Sequence, residues 1–183
     1  MPILSPVYFG GSRSLSPSPL LAQVVAAVLA SGESVHVGCS AGADAQVIQC
    51  AHRSSSFQQA RVFAAFSASG AGSCSVSAVP VVQSWAQAGG SVSWLAGGSL
   101  SVPLAARLIR RSLAALAGCS VAVFFTPGSG SLAVAAHAVA AGVPVFAFGS
   151  MPAAIPGAAG AWSPSSFRGF SCWHWSAAQL SLF

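Results

Sequence analysis

The chain has 183 residues, of which seven are arginine or lysine and two are acidic, so its formal net charge is +5. Charged residues make up 5% of it, where a typical soluble domain has about 25%, and hydrophobic residues make up 54%. This length suits one α/β domain and is too short for two domains of ordinary size. The composition excludes a densely charged surface.

A surface with so little charge predicts either a membrane protein or a subunit that is covered mostly by copies of itself. The best apolar stretches, residues 20–30 and 112–126, are shorter or more interrupted than the roughly 20 apolar residues of a membrane-spanning helix. Residues 1–6 lack the basic and apolar segments of a signal peptide. We therefore expect no membrane partner. Because mixed charge normally keeps proteins apart, we expect homo-oligomers or a larger assembly.

Short apolar strands alternate with helices along most of the chain. In chain order, the pattern predicts a strand at residues 6–10, a helix from Pro19 to Gly32 capped by Ser18, a strand at 34–37, a helix carrying Val47, Ile48 and Ala51, a strand at 61–66, a loop at 67–78, a helix from Pro80 to Gly89, a strand at 92–95, a helix at 103–117, a strand at 121–125, a helix ending at Gly142 and a strand at 144–148. This alternation predicts an α/β fold: a Rossmann-like, doubly wound, mostly parallel sheet with helices on both faces. The near-continuous apolar strands fit a sheet that is covered on both sides.

The C-terminal tail, residues 150–183, differs from the predicted Rossmann-like domain at residues 1–149. It is rich in Pro, Gly and Ala and shows no convincing period. Its aromatic residues are Trp162, Phe167, Phe170, Trp173, Trp175 and Phe183. Because such aromatic density does not suit disorder, we expect the tail to pack on the domain or on a neighbouring subunit.

Three turns of small residues follow predicted strands, at residues 10–13, 38–44 and 127–131. In an open parallel sheet, ligands bind outside the carboxyl ends of the strands. The last two turns lead directly into helices, whose amino ends attract anions. Together the turns predict a phosphate-binding cleft, although any one of them could simply contain the small residues that turns require.

The order of these motifs resembles the SLOG superfamily, which includes the DNA-processing protein A family, the YspA-like proteins and the LOG phosphoribohydrolases. The motifs are Gly11-Ser12-Arg13, Gly38-Cys39-Ser40-Ala41-Gly42-Ala43-Asp44, an Arg-bearing helix at 107–112, and Ser129-Gly130-Ser131-Leu132 followed by Gly142-Val143-Pro144. The resemblance covers residues 7–149. It implies a site for a nucleotide or nucleotide-derived ligand. The candidate ligand-binding residues are Gly11, Ser12, Arg13, Gly38, Cys39, Ser40, Gly42, Asp44, Arg107, Arg110, Arg111, Pro127, Gly128, Ser129, Gly130 and Ser131.

Several candidates also have ordinary structural explanations. Asp44 either contacts ligand or stabilises the start of a helix. The helical spacing puts Arg107, Arg110 and Arg111 on one face, which either meets phosphates or a partner chain, or is simply solvated. Cys39 is a possible nucleophile, but a buried free cysteine is the commoner case.

The acidic residues limit catalysis. The LOG hydrolases carry a glutamate soon after the last glycine-rich loop, and the corresponding residues here, 129–136, contain no acid. Glu33 precedes the second strand, on the edge away from the predicted cleft, so Asp44 is the carboxylate near it. A mechanism that needs two acids is therefore excluded within one chain. We assign no catalytic residue and consider an enzyme the less favoured interpretation.

The remaining titratable residues suggest neither a metal site nor a disulfide framework. His36, His52, His137 and His174 show no ligand spacing, and Cys172-Trp173-His174 is too sparse for zinc. Five cysteines without a CxxC pair favour a reducing, cytoplasmic compartment. No cofactor is indicated beyond a bound nucleotide or nucleotide derivative.

The favoured function is binding of such a ligand by a self-associating sensor or regulatory domain. The alternatives are a nucleotide N-glycosidic or phosphate hydrolase, a single-stranded nucleic-acid binder, and a structural filament or shell on a Rossmann-like scaffold. The net charge of +5 permits nucleic acid as a partner, although such proteins usually carry a denser basic patch.

Overall fold

A computed structural model describes residues 5–73 and 75–178. In these ranges the chain forms β1 (Val7–Gly11), α1 (Pro19–Ala30), β2 (Val35–Val37), α2 (Ala43–Arg53), β3 (Ala60–Phe63), α3 (Ala78–Gln87), β4 (Ser91–Ser93), α4 (Leu104–Leu116), β5 (Val121–Phe125), α5 (Ser129–Ala140), β6 (Val145–Phe148), β7 (Gly160–Phe167) and β8 (Phe170–Ala177). The strands and helices predicted between residues 6 and 148 are all present, with boundaries that differ by up to three residues. Cys74 and Phe183 lie outside the described residues.

The strands form one eight-stranded sheet in the order β4-β3-β2-β1-β5-β6-β8-β7. Strands β1 to β6 are parallel, whereas β8 runs antiparallel to β6 and β7 runs antiparallel to β8. The predicted α/β fold with a mostly parallel sheet is therefore confirmed.

Helices cover both faces of this sheet. Strand β1 shows why, because successive side chains of a strand point to opposite faces. Phe9 belongs to the core cluster that contains the apolar residues of α1, α2 and α3, whereas Tyr8 belongs to the cluster that contains those of α4 and α5. A strand that is buried on both faces has no polar side to display, which explains the continuous apolar runs in the sequence.

Helix α1 illustrates how local sequence sets an element. The Ser18 side chain accepts a hydrogen bond from the Leu21 amide at 3.2 Å, and Pro19 occupies the first helical position. A serine cap of this kind contributes about 1 kcal/mol. The spacing of the apolar residues from Leu20 to Leu29 predicts one buried face; Leu20 is 37% exposed, and the buried residues are Leu21, Val24, Val25, Val28 and Leu29.

Residues 160–177 of the tail, in which the sequence showed no convincing period, form the β7–β8 hairpin and extend the sheet. Phe167 and Cys172 join the core cluster on one face, and Trp175 joins the cluster on the other. Because both faces carry large apolar side chains, the sequence shows no alternation of polar and apolar residues. The segment does pack on the rest of the chain, through strand pairing that its sequence did not reveal. Over the ranges covered by the structure, no helix has the length and apolar character needed to span a membrane.

Candidate functional site

The candidate site is a cleft at the carboxyl edge of the sheet. The strand order reverses between β1 and β5, and open α/β sheets bind ligands in the crevice outside such a reversal point. A cleft with a volume of about 670 Å³ opens there. Its lining residues are Tyr8, Gly10, Gly11, Ser12, Arg13, Ser14, Ser40, Asp44, Ala105, Leu108, Ile109, Arg111, Ser112, Gly128, Ser129, Gly130, Ser131 and Val134.

The first turn, after β1, holds its neighbours together through the backbone of Ser12. The Ser12 amide donates to the carbonyl of Phe125 at 3.0 Å, and the Ser12 carbonyl accepts from the amide of Ala43 at 3.0 Å. A Cβ atom on Gly11 would lie 2.3 Å from the Phe125 carbonyl oxygen, so this close approach requires glycine. Arg13 follows at the exposed rim of the cleft, where its guanidinium can meet an anionic ligand.

Two glycines of the second turn support the cleft without lining it. Gly42 has φ +71°, a left-handed conformation that favours glycine, and a Cβ there would lie 2.3 Å from the Ser12 carbonyl oxygen. A Cβ on Gly38 would lie 1.3 Å from Nη1 of Arg111. The glycine at position 38 therefore provides the space that the guanidinium occupies.

The rest of the second turn separates into one buried residue and two cleft residues. Cys39 is fully buried and its sulfur accepts from the amide of Ala65 at 3.3 Å, so it lies beneath the cleft surface. Ser40 and Asp44 do line the cleft, although both are less than a tenth exposed.

Asp44 and Arg111 form a buried ion pair that joins α2 to α4. Nη1 of Arg111 donates to Oδ2 of Asp44 at 3.0 Å, Nη2 donates to the Ser40 hydroxyl at 2.9 Å, and the Ser40 amide donates to the same Oδ2 at 2.9 Å. Burial by itself would lower the pKa of the Arg111 guanidinium, but the Asp44 carboxylate, with smaller contributions from Cys39 and Tyr8, more than compensates, so the pKa is raised. Asp44 therefore has a role that the sequence did not reveal, as the counterion of a buried arginine.

The third turn presents the amino end of α5 to the cleft. Gly128 is the N-cap and provides no side-chain cap, and the first turn of α5 contains no acidic residue. The first amides of a helix lack partners within the helix and carry its positive pole. Ser131 ties this end to β1, since its hydroxyl donates to the Gly11 carbonyl at 3.0 Å. Pro127 lies just outside the cleft lining.

Thr126, just before this turn, is held in a left-handed conformation with φ +45°. For a β-branched residue this conformation costs on the order of 1–3 kcal/mol, and such strain concentrates at functional sites.

The three arginines of α4 lie in different surroundings and do not form one charged face. Arg107 is 5% exposed and donates to the carbonyls of Ala65, Gly72 and Val102, so it fastens two loops to the helix. Arg110 is exposed and lies outside the cleft lining. Of the three, Arg111 alone lines the cleft, and it does so from within the buried ion pair.

Two contributions to the cleft were not anticipated from the sequence. Tyr8 is 3% exposed, and burial, with a further contribution from Asp44, raises the pKa of its hydroxyl to about 12. Helix α4 adds an apolar wall through Ala105, Leu108 and Ile109. The helical spacing of 105, 108 and 109 was a usable signal for this wall, but nothing in β1 indicates which face Tyr8 occupies.

The cleft is poor in acid–base groups. Asp44 is the carboxylate that lines it, and one of its oxygens already accepts two hydrogen bonds. Within the part of the chain that the structure describes, no group of three or more His, Cys, Asp or Glu side chains could hold a metal ion. Outside the cleft, Sγ of Cys119 lies 3.6 Å from Nδ1 of His36. Burial raises the pKa of the Cys119 thiol to about 12 and keeps that thiol protonated.

Comparison of the chain with protein-family models, with curated proteins and with solved structures found no match. The geometry of the cleft is therefore the basis for the functional argument.

Proposed function

We propose that the chain binds a nucleotide or nucleotide-derived ligand in this cleft, as a self-associating, SLOG-like sensor or regulatory domain. The observation that carries the proposal is the convergence of three small-residue turns on one cleft at the point where the strand order reverses. The cleft volume of about 670 Å³ lies within the usual range of about 300–1,000 Å³ for small-molecule sites.

The walls of the cleft suit the two ends of a nucleotide. The uncapped amino end of α5 and the exposed guanidinium of Arg13 favour a phosphate. The opposite wall, with Ala105, Leu108 and Ile109, offers apolar surface to a base. The cleft also lies where doubly wound parallel sheets generally bind ligands, outside the carboxyl ends of the strands at the reversal of strand order.

A binding role is favoured over hydrolysis because Asp44 is buried in its ion pair with Arg111. A general acid or base must reach the reacting group and exchange a proton with it. A carboxylate that is 5% exposed and holds a guanidinium is poorly suited to that task.

Isothermal titration calorimetry with adenosine monophosphate (AMP) tests the proposal, and Ser129→Asp is its diagnostic variant. Ser129 is the first residue of α5, where an aspartate is expected to stabilise the helix by about 0.3–1 kcal/mol. The same charge about 4 Å from a phosphate costs about 1–4 kcal/mol, so AMP affinity should fall roughly fivefold or more. The control is Ser120→Asp, which adds an equal charge at the amino edge of β5.

Unaltered AMP binding in Ser129→Asp, with both variants folded, would show that the phosphate does not lie at α5. Absence of binding by AMP and by a panel of other nucleotides would refute the proposed function.

A purely structural assembly is the second candidate, favoured by the low-charge surface. Val76, Leu100, Leu104 and Ile109 are large apolar side chains that are at least 36% exposed. Native mass spectrometry of the purified protein separates the candidates, because it reports subunit number and any retained small molecule together. A multimer without an adduct, and with none gained from nucleotides, favours the structural role. A discrete monomer argues against self-association.

A further inference from the structure

Both acidic side chains of the chain are engaged in ion pairs within it. The sequence contains two acidic residues, Glu33 and Asp44. Glu33 contacts the guanidinium of Arg168 and also accepts from the hydroxyl of Ser31 at 2.8 Å. Asp44 is paired with Arg111 at 3.0 Å. Each side-chain carboxylate of this chain therefore already has a guanidinium as its counterion.

This pairing of the acidic side chains matters most for the charge of the cleft. The charge of Asp44 is balanced by Arg111, and both side chains are buried. Arg13 adds an exposed positive charge, and the amino end of α5 adds the positive pole of a helix. The charges that the cleft presents without a counterion are therefore positive, those of Arg13 and of the amino end of α5.

Magnesium ions in nucleotide sites are held by one or two protein carboxylates together with the substrate phosphates. The carboxylate that lines this cleft, Asp44, is buried and already neutralised by Arg111, and serine hydroxyls and backbone groups are weak substitutes for an unpaired carboxylate. A bound magnesium ion would also neutralise part of the phosphate charge, and so reduce its attraction to Arg13 and α5.

We infer that the cleft takes its ligand as a metal-free phosphate ester, such as a nucleoside monophosphate, and not as the magnesium complex of a nucleoside triphosphate. This inference rests on the proposed function and specifies its ligand class. It separates the cleft from the common nucleotide sites in which the metal contributes to affinity.

Titration calorimetry of the whole chain tests this, with AMP, ADP and ATP each measured in excess EDTA and in excess magnesium chloride. We expect the dissociation constant of AMP to change by less than about twofold between the two conditions. For ATP, magnesium should weaken binding by about fivefold or more, a change of roughly 1 kcal/mol. Arg13→Ser should weaken binding in EDTA, whereas the control Arg110→Ser, which alters an exposed arginine outside the cleft lining, should not.

The outcomes distinguish failure of the metal-free ligand class from failure of nucleotide binding itself. Stronger binding of any of the three nucleotides in magnesium would overturn the metal-free ligand class while leaving a nucleotide site in place. Failure of all three to bind in either condition would refute nucleotide binding itself.

Discussion

Replacing Arg111 with methionine should destabilise the protein strongly, because it leaves the Asp44 carboxylate buried without a counterion. Arg111 is 4% exposed and Asp44 5%. The substitution removes the contacts to Oδ2 of Asp44 at 3.0 Å and to the Ser40 hydroxyl at 2.9 Å. Breaking a buried pair from one side costs about 3–5 kcal/mol, out of a typical total stability of about 5–15 kcal/mol.

Thermal unfolding followed by circular dichroism measures this loss. For a chain of this size 1 kcal/mol corresponds to about 2–4 °C, so we expect Tm to fall by about 6–20 °C. Arg110→Met is the matched control, since it removes an exposed arginine from the adjacent position of α4. That control should change the free energy of unfolding by no more than about 0.5 kcal/mol.

The double variant Asp44→Asn with Arg111→Met isolates the interaction between the two side chains. Because it removes both charges, its loss should be smaller than the sum of the two single losses by about 1 kcal/mol or more. If Arg111→Met lowered the free energy of unfolding no more than Arg110→Met does, the ion pair would not stabilise the packing of α4 against α2. The role assigned to Asp44 and Arg111 beneath the cleft would then be wrong.

Two further predictions concern the base and rim of the cleft. Gly38→Ala should lower the free energy of unfolding, measured by urea denaturation, by several kcal/mol, because its Cβ would lie 1.3 Å from Nη1 of Arg111. Gly130→Ala is the control: a Cβ there has nothing within 4 Å, so the substitution should raise stability by about 0.5–1 kcal/mol. Equal effects of the two substitutions would contradict the packing around Gly38. Tyr8 is the chain's one tyrosine, so its ionisation can be followed by ultraviolet absorbance. The midpoint should lie near pH 12 in the folded protein and near 10 in denaturant, and because the folded pKa is the higher one, stability should fall as pH rises from about 10 to 12. A native midpoint near 10 would show that the hydroxyl is not buried.

The sequence predicted the elements that depend on local signals. Helix α1 follows from the Ser18 cap, Pro19 and a stripe with helical spacing, and β5 follows from five apolar residues between turn residues. The three glycine-rich turns were recognisable for the same reason, and alternation of elements implied that their carboxyl ends share one edge. The approximate position of a cleft could therefore be inferred from the chain alone.

Only the tertiary structure decided which side chains line the cleft. Helical spacing grouped Arg107 with Arg111, but their distant partners differ. Arg107 bonds carbonyls of the loop between β3 and α3, and Arg111 bonds Asp44, and these partners are 35 to 67 residues away in sequence. The β7–β8 hairpin likewise depends on β6, and apolar side chains on both its faces conceal its period. Local propensity and spacing determine where elements begin and end, whereas burial and pairing depend on distant contacts that a single sequence does not encode in any local pattern.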